Sequence, residues 1–420
     1  MQAKKRAGET PALFFCLVTD DWCAIISSMQ LRPSAVHRSR SLLTVLWFLA
    51  GLLLAGCGGR TTLSPEQGTP PSVPVVVPST ALPASSVPIT PTASAILTPT
   101  IDVAQLVGEQ TLPDTVSPFT GIEVDDPARL NRMPAAVKIS NSPIARPQSG
   151  LSKADVVIEH LAEGDITRFT AIFHSEDAGR IGSVRSARLI DLEIPVLFDA
   201  FLVYSGANGE VSRLIESSDI AGTILSDEHK DSGFYRLNIP GKTYEHTLFT
   251  DTELLQQVAV AKGWTSRPRY RGWTWSEKPA VGAKPARTIE IPYGSEYSNV
   301  RYVYDPKTAD YKRWVLDEPH IDDLTNEQLA TPNVVVLYAN HVPTLIVEDV
   351  LGSKSTEIQL WGQGRMQMFR DGKVQEGIWL RPKREDPLLF LDQNYKPLPL
   401  KPGKVWIEIV PLDMAITATP

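Results

Sequence analysis

Between Gly58 and about Pro113 the chain is built from Thr, Pro, Ser, Val and Ala, in runs such as P-P-S-V-P-V-V-V-P-S-T (residues 70–80) and I-T-P-T-A-S-A-I-L-T-P-T (residues 89–100). Each proline removes an amide donor and fixes φ, so neither a helix nor a strand ladder can run through such a stretch. It is expected to be an extended, partly polyproline II tether at about 3 Å per residue, reaching on the order of 100 Å when stretched. The 420-residue chain is thereby divided into a leader, a disordered tether over 58–116 and a foldable remainder.

The leader carries an apolar run, Ser41 to Ala55, preceded by His37, Arg38 and Arg40. At about 15 residues the run suits a signal-peptide core and falls short of the roughly 20 that span a bilayer as a helix. It ends in Leu54-Ala55-Gly56-Cys57, which resembles the bacterial lipobox. Small residues before a cysteine allow close approach by the lipoprotein signal peptidase, and the Cys57 thiol accepts the lipid. The expectation is a protein lipid-anchored at Cys57 in the cell membrane and facing outside the cytoplasm; the alternative is an uncleaved short anchor. A start at Met29 would give a signal peptide of ordinary proportions, so residues 1–28 are expected to reflect a mis-assigned start codon.

Charge and cysteine usage narrow the partners. Residues 1–57 hold six basic and three acidic side chains, so of the chain's 41 and 48 the remainder keeps 35 basic and 45 acidic, a balance of −10. A chain of that sign gains no counterion-release energy from a phosphate backbone, which argues against nucleic acid. All three cysteines (Cys16, Cys23, Cys57) lie at or before the lipobox. The foldable part therefore has no cysteine nucleophile, disulfide or thiolate metal site.

From Ser117 onward the periodicity predicts strands over 135–140, 155–161 and 166–174, a helical stretch over 184–197, a buried strand over 200–205, and helices over 209–217 and 251–263. After about residue 279 the pattern turns almost wholly to strands, over 287–291, 299–304, 311–316, 334–338, 356–361, 365–370, 374–380 and 405–410. Asp371-Gly372 supplies the positive φ values of a tight hairpin. The predicted architecture is α/β (α+β), a mixed half over 117–278 packed with a mainly antiparallel β half over 279–412, then a tail over 413–420.

Several strings are similar to the YerB-type lipoproteins: N-S-P-I-A-R-P-Q-S-G-L at 141–151, A-D-V-V-I-E at 154–159, E-G-D-I-T-R-F at 163–169, I-G-S-V-R-S-A-R at 181–188 and L-K-P-G-K-V-W-I at 400–407. The resemblance spans roughly 117–412 and implies a lipid-anchored, two-part α/β domain. It brings no settled activity, substrate or catalytic residue. The segment Y-E-H-T-L-F-T at 244–250 departs from the Pro-His-Asn-like string expected there.

Polar chemistry concentrates in Arg146, Glu159, Glu163, Arg168, Arg185, Ser186, Arg188 and Asp191. On a strand, Glu159 and Leu161 share one face and His160 takes the other. Glu163 and Arg168 flank a Gly164-Asp165 turn and are placed to pair across it. On the predicted helix, Arg185 and Arg188 are three apart and present two guanidinium forks on one face, suited to carboxylate or phosphate. Three readings stay open: a salt-bridge network, an anion-binding site formed by Arg146, Arg168, Arg185, Ser186 and Arg188, and catalysis by Glu159 or Glu163. His246, in a loop beside Glu245, is a further acid-base candidate or a simple loop hydrogen-bonder. His320-Ile321-Asp322-Asp323 puts an imidazole near two carboxylates, which a polar turn explains equally well, and Gly362-Gln363-Gly364 reads as a turn. Trp264, Tyr270, Trp273, Trp275 and Tyr293, interleaved with Arg267, Arg269 and Arg271, suit packing between halves or stacking on sugar rings. No metal-ligand spacing, phosphate loop or dinucleotide fingerprint is present, so no cofactor is expected. The leading expectation is a non-enzymatic binding module for an anionic cell-wall or periplasmic component or a protein partner. Its rival is an envelope hydrolase or transferase using Glu/His acid-base chemistry.

Overall fold

The computed structural model describes Val103, Leu106 and residues 112–420 apart from Tyr270, Arg271, Glu296 and Val350. The leader, Cys57 and almost all of the tether expected over 58–116 lie outside the described residues. Val103 and Leu106 pack against the cluster of Leu380, Leu389 and Leu391, and Val116 bridges Glu123.

The longer strands are β1 (Ala135–Ser140), β2 (Val156–Leu161), β3 (Thr167–Phe173), β4 (Phe201–Tyr204), β5 (Ile224–Ser226), β6 (Thr288–Ile291), β7 (Val300–Asp305), β8 (Asp310–Val315), β9 (Asn333–Val347), β10 (Lys354–Gln359), β11 (Gly362–Arg370), β12 (Lys373–Arg381), β13 (Leu389–Leu391), β14 (Val405–Pro411) and β15 (Thr417–Thr419). Most lie on the predicted strands, whose β-branched and aromatic residues suit a pleated, half-buried surface, but β5, β13 and β15 fall outside the predicted set and β9 runs to Val347, beyond the expected 334–338. Helices α1 (Ile194–Leu197), α2 (Gly209–Glu216) and α3 (Thr252–Ala261) complete the set. Asp251 caps α3 through Leu254 N (2.8 Å), and Gly263 at φ +78° ends it. Asp371 and Gly372 take φ +53° and +67°, closing the β11–β12 hairpin.

One sheet runs through both halves in the order β13-β12-β11-β9-β14-β2-β3-β1-β4-β5, with β10 paired to β9 off this path. The late strand β14 lies parallel to both β9 and β2, with Glu159 of β2 in register with Glu408 of β14. A second sheet holds β8-β7-β6-β15. The last three-residue strand, β15, comes from the expected tail and pairs with β6. Alternation along β2 sends Val157 to a core shared with Ile289, Tyr302 and Tyr311 of the second sheet, and Ile158 to a core shared with Ile190, Ile194 and Phe198.

Three local expectations are corrected. Residues 184–188 are not helical: Val184 N donates to Leu248 O, Arg185 N to Lys138 O, and Ala187 N to Gly206 O. Tertiary ladder partners thus outcompete local helix spacing, and helical turns begin only at Leu189–Leu192. Gly362–Gly364 opens β11 instead of forming a turn; a Cβ on Gly364 would meet the Trp379 indole at 2.4 Å. His320 is a buried residue, not part of a solvated turn.

Candidate anion-binding site

Two polar networks occupy opposite faces of the central sheet. On the face toward the second sheet, Glu159 accepts from Arg313 Nη2 (2.5 Å), Asn141 Nδ2 (3.0 Å) and Thr167 Oγ1 (2.6 Å). Arg313 also reaches His320 Nδ1, and His320 Nε2 donates to Gln148 Oε1 (2.6 Å). Glu408 accepts from Tyr302 (2.5 Å) and Tyr293 (2.6 Å) hydroxyls. Glu159, Arg313 and Glu408 are closed to solvent. Burial and the adjacent Glu159 charge push Glu408 up to about 8. Arg146 sits by this network, bonded to Asn141 and to the Tyr297 carbonyl (2.6 Å). Its hydrogen-bond partners are thus different from those of Arg168, Arg185 and Arg188.

On the other face, the Lys138 ammonium directs its three protons to His160 Nε2 (2.6 Å), Thr170 Oγ1 (3.0 Å) and Asp191 Oδ1 (2.9 Å). Burial, outweighing the Asp191 charge, lowers Lys138 to about 8. Burial and then the Lys138 charge hold His160 well below the usual histidine range. The polarity of strand position 138 on an otherwise apolar strand was visible in the sequence, but its partners were not.

Beside this triad lies the cluster the sequence singled out. The Gly164-Asp165 turn, at φ +65° and +56°, returns the chain so that Arg168 Nη2 donates to Glu163 Oε1 (2.7 Å). Arg188 Nε donates to Glu163 Oε2 (2.6 Å), and Arg188 Nη2 also reaches Oε1. Two forks thus hold one carboxylate from within the protein. Burial would raise Glu163, but the Arg188 hydrogen bond and both arginine charges prevail and bring it to about 2. Ser186 takes part through its carbonyl, which accepts from Arg168 Nη1 (2.9 Å).

Arg185 differs from its neighbours. It is half-buried, its Nε is buried without a hydrogen-bond partner, and Nη1 reaches only the Glu245 carbonyl at 3.4 Å. His246 lies beside it on the Tyr244–His246 turn, with Nδ1 also buried and unpartnered. Burial and the Arg185 charge lower His246 to about 4, so it is neutral near pH 7. Arg185 Nε and His246 Nδ1 thus lack hydrogen-bond partners within the protein. Glu159 and Glu163, by contrast, are committed to arginines.

The aromatic group resolves into packing. Trp273 stacks on Phe390 at 5.4 Å between ring centroids and meets Phe198 and Trp275 edge-on, while Trp264 tilts onto Phe201. Tyr270 and Arg271 lie outside the described residues. Among the described residues no group of His, Cys, Asp and Glu could hold a metal, and no helix is long and apolar enough to cross a membrane.

Models for the N-terminal and C-terminal domains of a "Protein of unknown function (DUF3048)" match residues 119–265 and 289–407. The chain is 32% identical over 311 residues to "Putative lipoprotein YerB" of Bacillus subtilis (strain 168), covering 72% of this chain and 90% of that protein. The chain belongs to the YerB-type family. A crystal structure of YerB from Bacillus subtilis superposes with a TM-score of 0.62 at 31% identity, over 73% of this chain and 99% of that one. The YerB-type family is one of lipoproteins of unknown function, so the resemblance noted in residues 141–188 and 400–407 is a true kinship, and it leaves the chemistry to be argued from the site.

Proposed function

We propose that this YerB-type protein is held at the membrane by lipid on Cys57, faces outside the cytoplasm, and binds an anionic cell-wall or periplasmic ligand through Arg185. The observation carrying the ligand reading is that Arg185 keeps a buried, unpartnered Nε beside two arginines already engaged by Glu163. Burying a charged donor without a partner is unfavourable by several kcal/mol, and a carboxylate or phosphate oxygen would remove that penalty. His246 Nδ1 offers a second contact alongside. The net balance of −10 beyond Cys57 favours a local cationic site for a small anion over a broad polyanion-binding face.

Titration calorimetry of the full-length protein with inorganic phosphate and with succinate tests the site. Arg185→Ala is expected to weaken binding on the order of tenfold or more, the usual worth of a hydrogen bond to a charged group. Equal affinity in wild type and Arg185→Ala would sink the assignment. For the anchor, Cys57→Ala is expected to move the protein from the membrane to the soluble fraction.

A further inference from the structure

Strand β9 leaves the main sheet part-way along its length. It pairs with β11 as far as Leu337 and with β14 as far as Ala339, and beyond that its only ladder partner is β10. Residues 340–347 and 354–359 therefore form a two-stranded ribbon, with a register break between Pro343 and Val347. Such a ribbon has little stability of its own, and bulges are where strands bend. Near its tip Leu345 and Leu351 are each 88% exposed. The ribbon nevertheless lies over the chemistry: β10 packs on the Glu163–Asp165 and Leu189–Leu192 turns, Ile346 packs on the cluster around Tyr204 and Val211, and Asn208 Nδ2 donates to the Val347 carbonyl.

At this tip stands Glu348. Its side chain is 1% exposed and its carboxylate is 3.7 Å from Arg188 Nε, near Arg168 as well. Yet neither carboxylate oxygen has a hydrogen-bond partner. An ionic group sealed from water without hydrogen bonds, on the end of a loosely tied ribbon, is the opposite of a designed structural pair such as Glu159–Arg313. It neutralises the arginine cluster electrostatically but gains no bonds by staying.

We propose that the ribbon is a lid, and that Glu348 stands in for the oxyanion of the ligand over Arg168 and Arg188, the latter a neighbour of Arg185, until that ligand displaces it. This rests on the anion-binding reading of Arg185 and adds to it how the site is closed. The ligand then has to displace a tethered carboxylate that is ion-paired but makes no hydrogen bonds, so an anion that hydrogen-bonds to the arginines opens the lid.

The full-length protein tests this through hydrogen exchange of residues 340–359 together with succinate titration, in wild type, Glu348→Gln and Asn208→Asp. The last change keeps the acceptor that caps α2 at Glu210 N but loses the donor to the ribbon. Both variants are expected to exchange faster across the ribbon. Glu348→Gln is expected to bind succinate on the order of tenfold more tightly, since a competing contact of modest worth is gone. Wild type is expected to exchange faster in the ribbon when succinate is added. Ribbon exchange unchanged in both variants overturns the lid, whatever succinate does. If Arg185→Ala binds succinate normally while Glu348→Gln still loosens the ribbon, the lid stands and the Arg185 site falls.

Discussion

The two faces of the central sheet bury comparable amounts of charge and treat it differently. Toward the second sheet, the oxygens of Glu159 and Glu408 are all hydrogen-bonded, and Arg313 is engaged by Tyr302, His320 and Glu159. On the other face, Glu163 is fully held, while nearby Arg185, His246 and Glu348 keep buried side-chain atoms without a partner. A satisfied buried network specifies which surfaces meet and asks for nothing more. An unsatisfied one stores free energy that a ligand can release. The contrast sets a satisfied framework against an unsatisfied cluster, and the latter is where the proposed site lies.

The largest effect is expected at the satisfied network. Arg313→Met strands Glu159 in the core, and loss of one partner of a buried ion pair costs about 3–5 kcal/mol; urea unfolding should show this as a matching drop, and a drop below about 1 kcal/mol would remove the contrast. Next comes pH. Glu408 is pushed up from 4.5 to about 8 by burial and the Glu159 charge. The folded state then keeps a proton that the unfolded chain releases near 4.5. This contribution to stability is complete below about pH 4.5 and is lost as pH rises through 8. Glu408→Gln should flatten that decline, and an unchanged slope would show that Glu408 does not carry it.

Glu163 works in the opposite direction. Burial opposes it, but the Arg188 hydrogen bond and the two arginine charges lower it to about 2. Its contribution is present above about pH 4.5 and lost as pH falls through 2. Glu163→Gln should cost about 1.5–3 kcal/mol at pH 7, as for hydrogen bonds to charged groups, and should blunt the acid transition. The smallest cost is expected from Arg185→Ala, which removes a buried donor without a partner and should leave stability unchanged or raised, while anion affinity falls. A large destabilisation there would make Arg185 part of the framework and erase the difference between the two networks.

Much of this was legible in the residues. Strand positions in β1, β2, β3, β12 and β14 follow from runs of β-branched and aromatic residues, and the Glu163–Arg168 pairing follows from the Gly164-Asp165 turn between them. The lone glutamate in V-W-I-E-I-V (405–410) was itself a signal, because a charge on a strand buried on both faces demands partners. Its partners, Tyr293 and Tyr302, lie more than a hundred residues away and no local pattern points to them. The placement of Arg185 and Arg188 failed for a related reason: their three-residue spacing is helical, but the backbone of 184–187 is drawn into ladders with Lys138, Leu248 and Gly206.

The sequence by itself determined most of the strands and helices and which residues face inward, because turn chemistry acts locally and side-chain alternation is a property of the strand alone. Tertiary structure alone decided which charges meet. Insertion of β14 between β9 and β2 brings Glu408 beside Glu159, and the return of β9 as a ribbon brings Glu348 onto Arg188. Electrostatic pairing depends on distance through space, and the connections that set those distances span up to hundreds of residues, beyond the reach of any spacing rule.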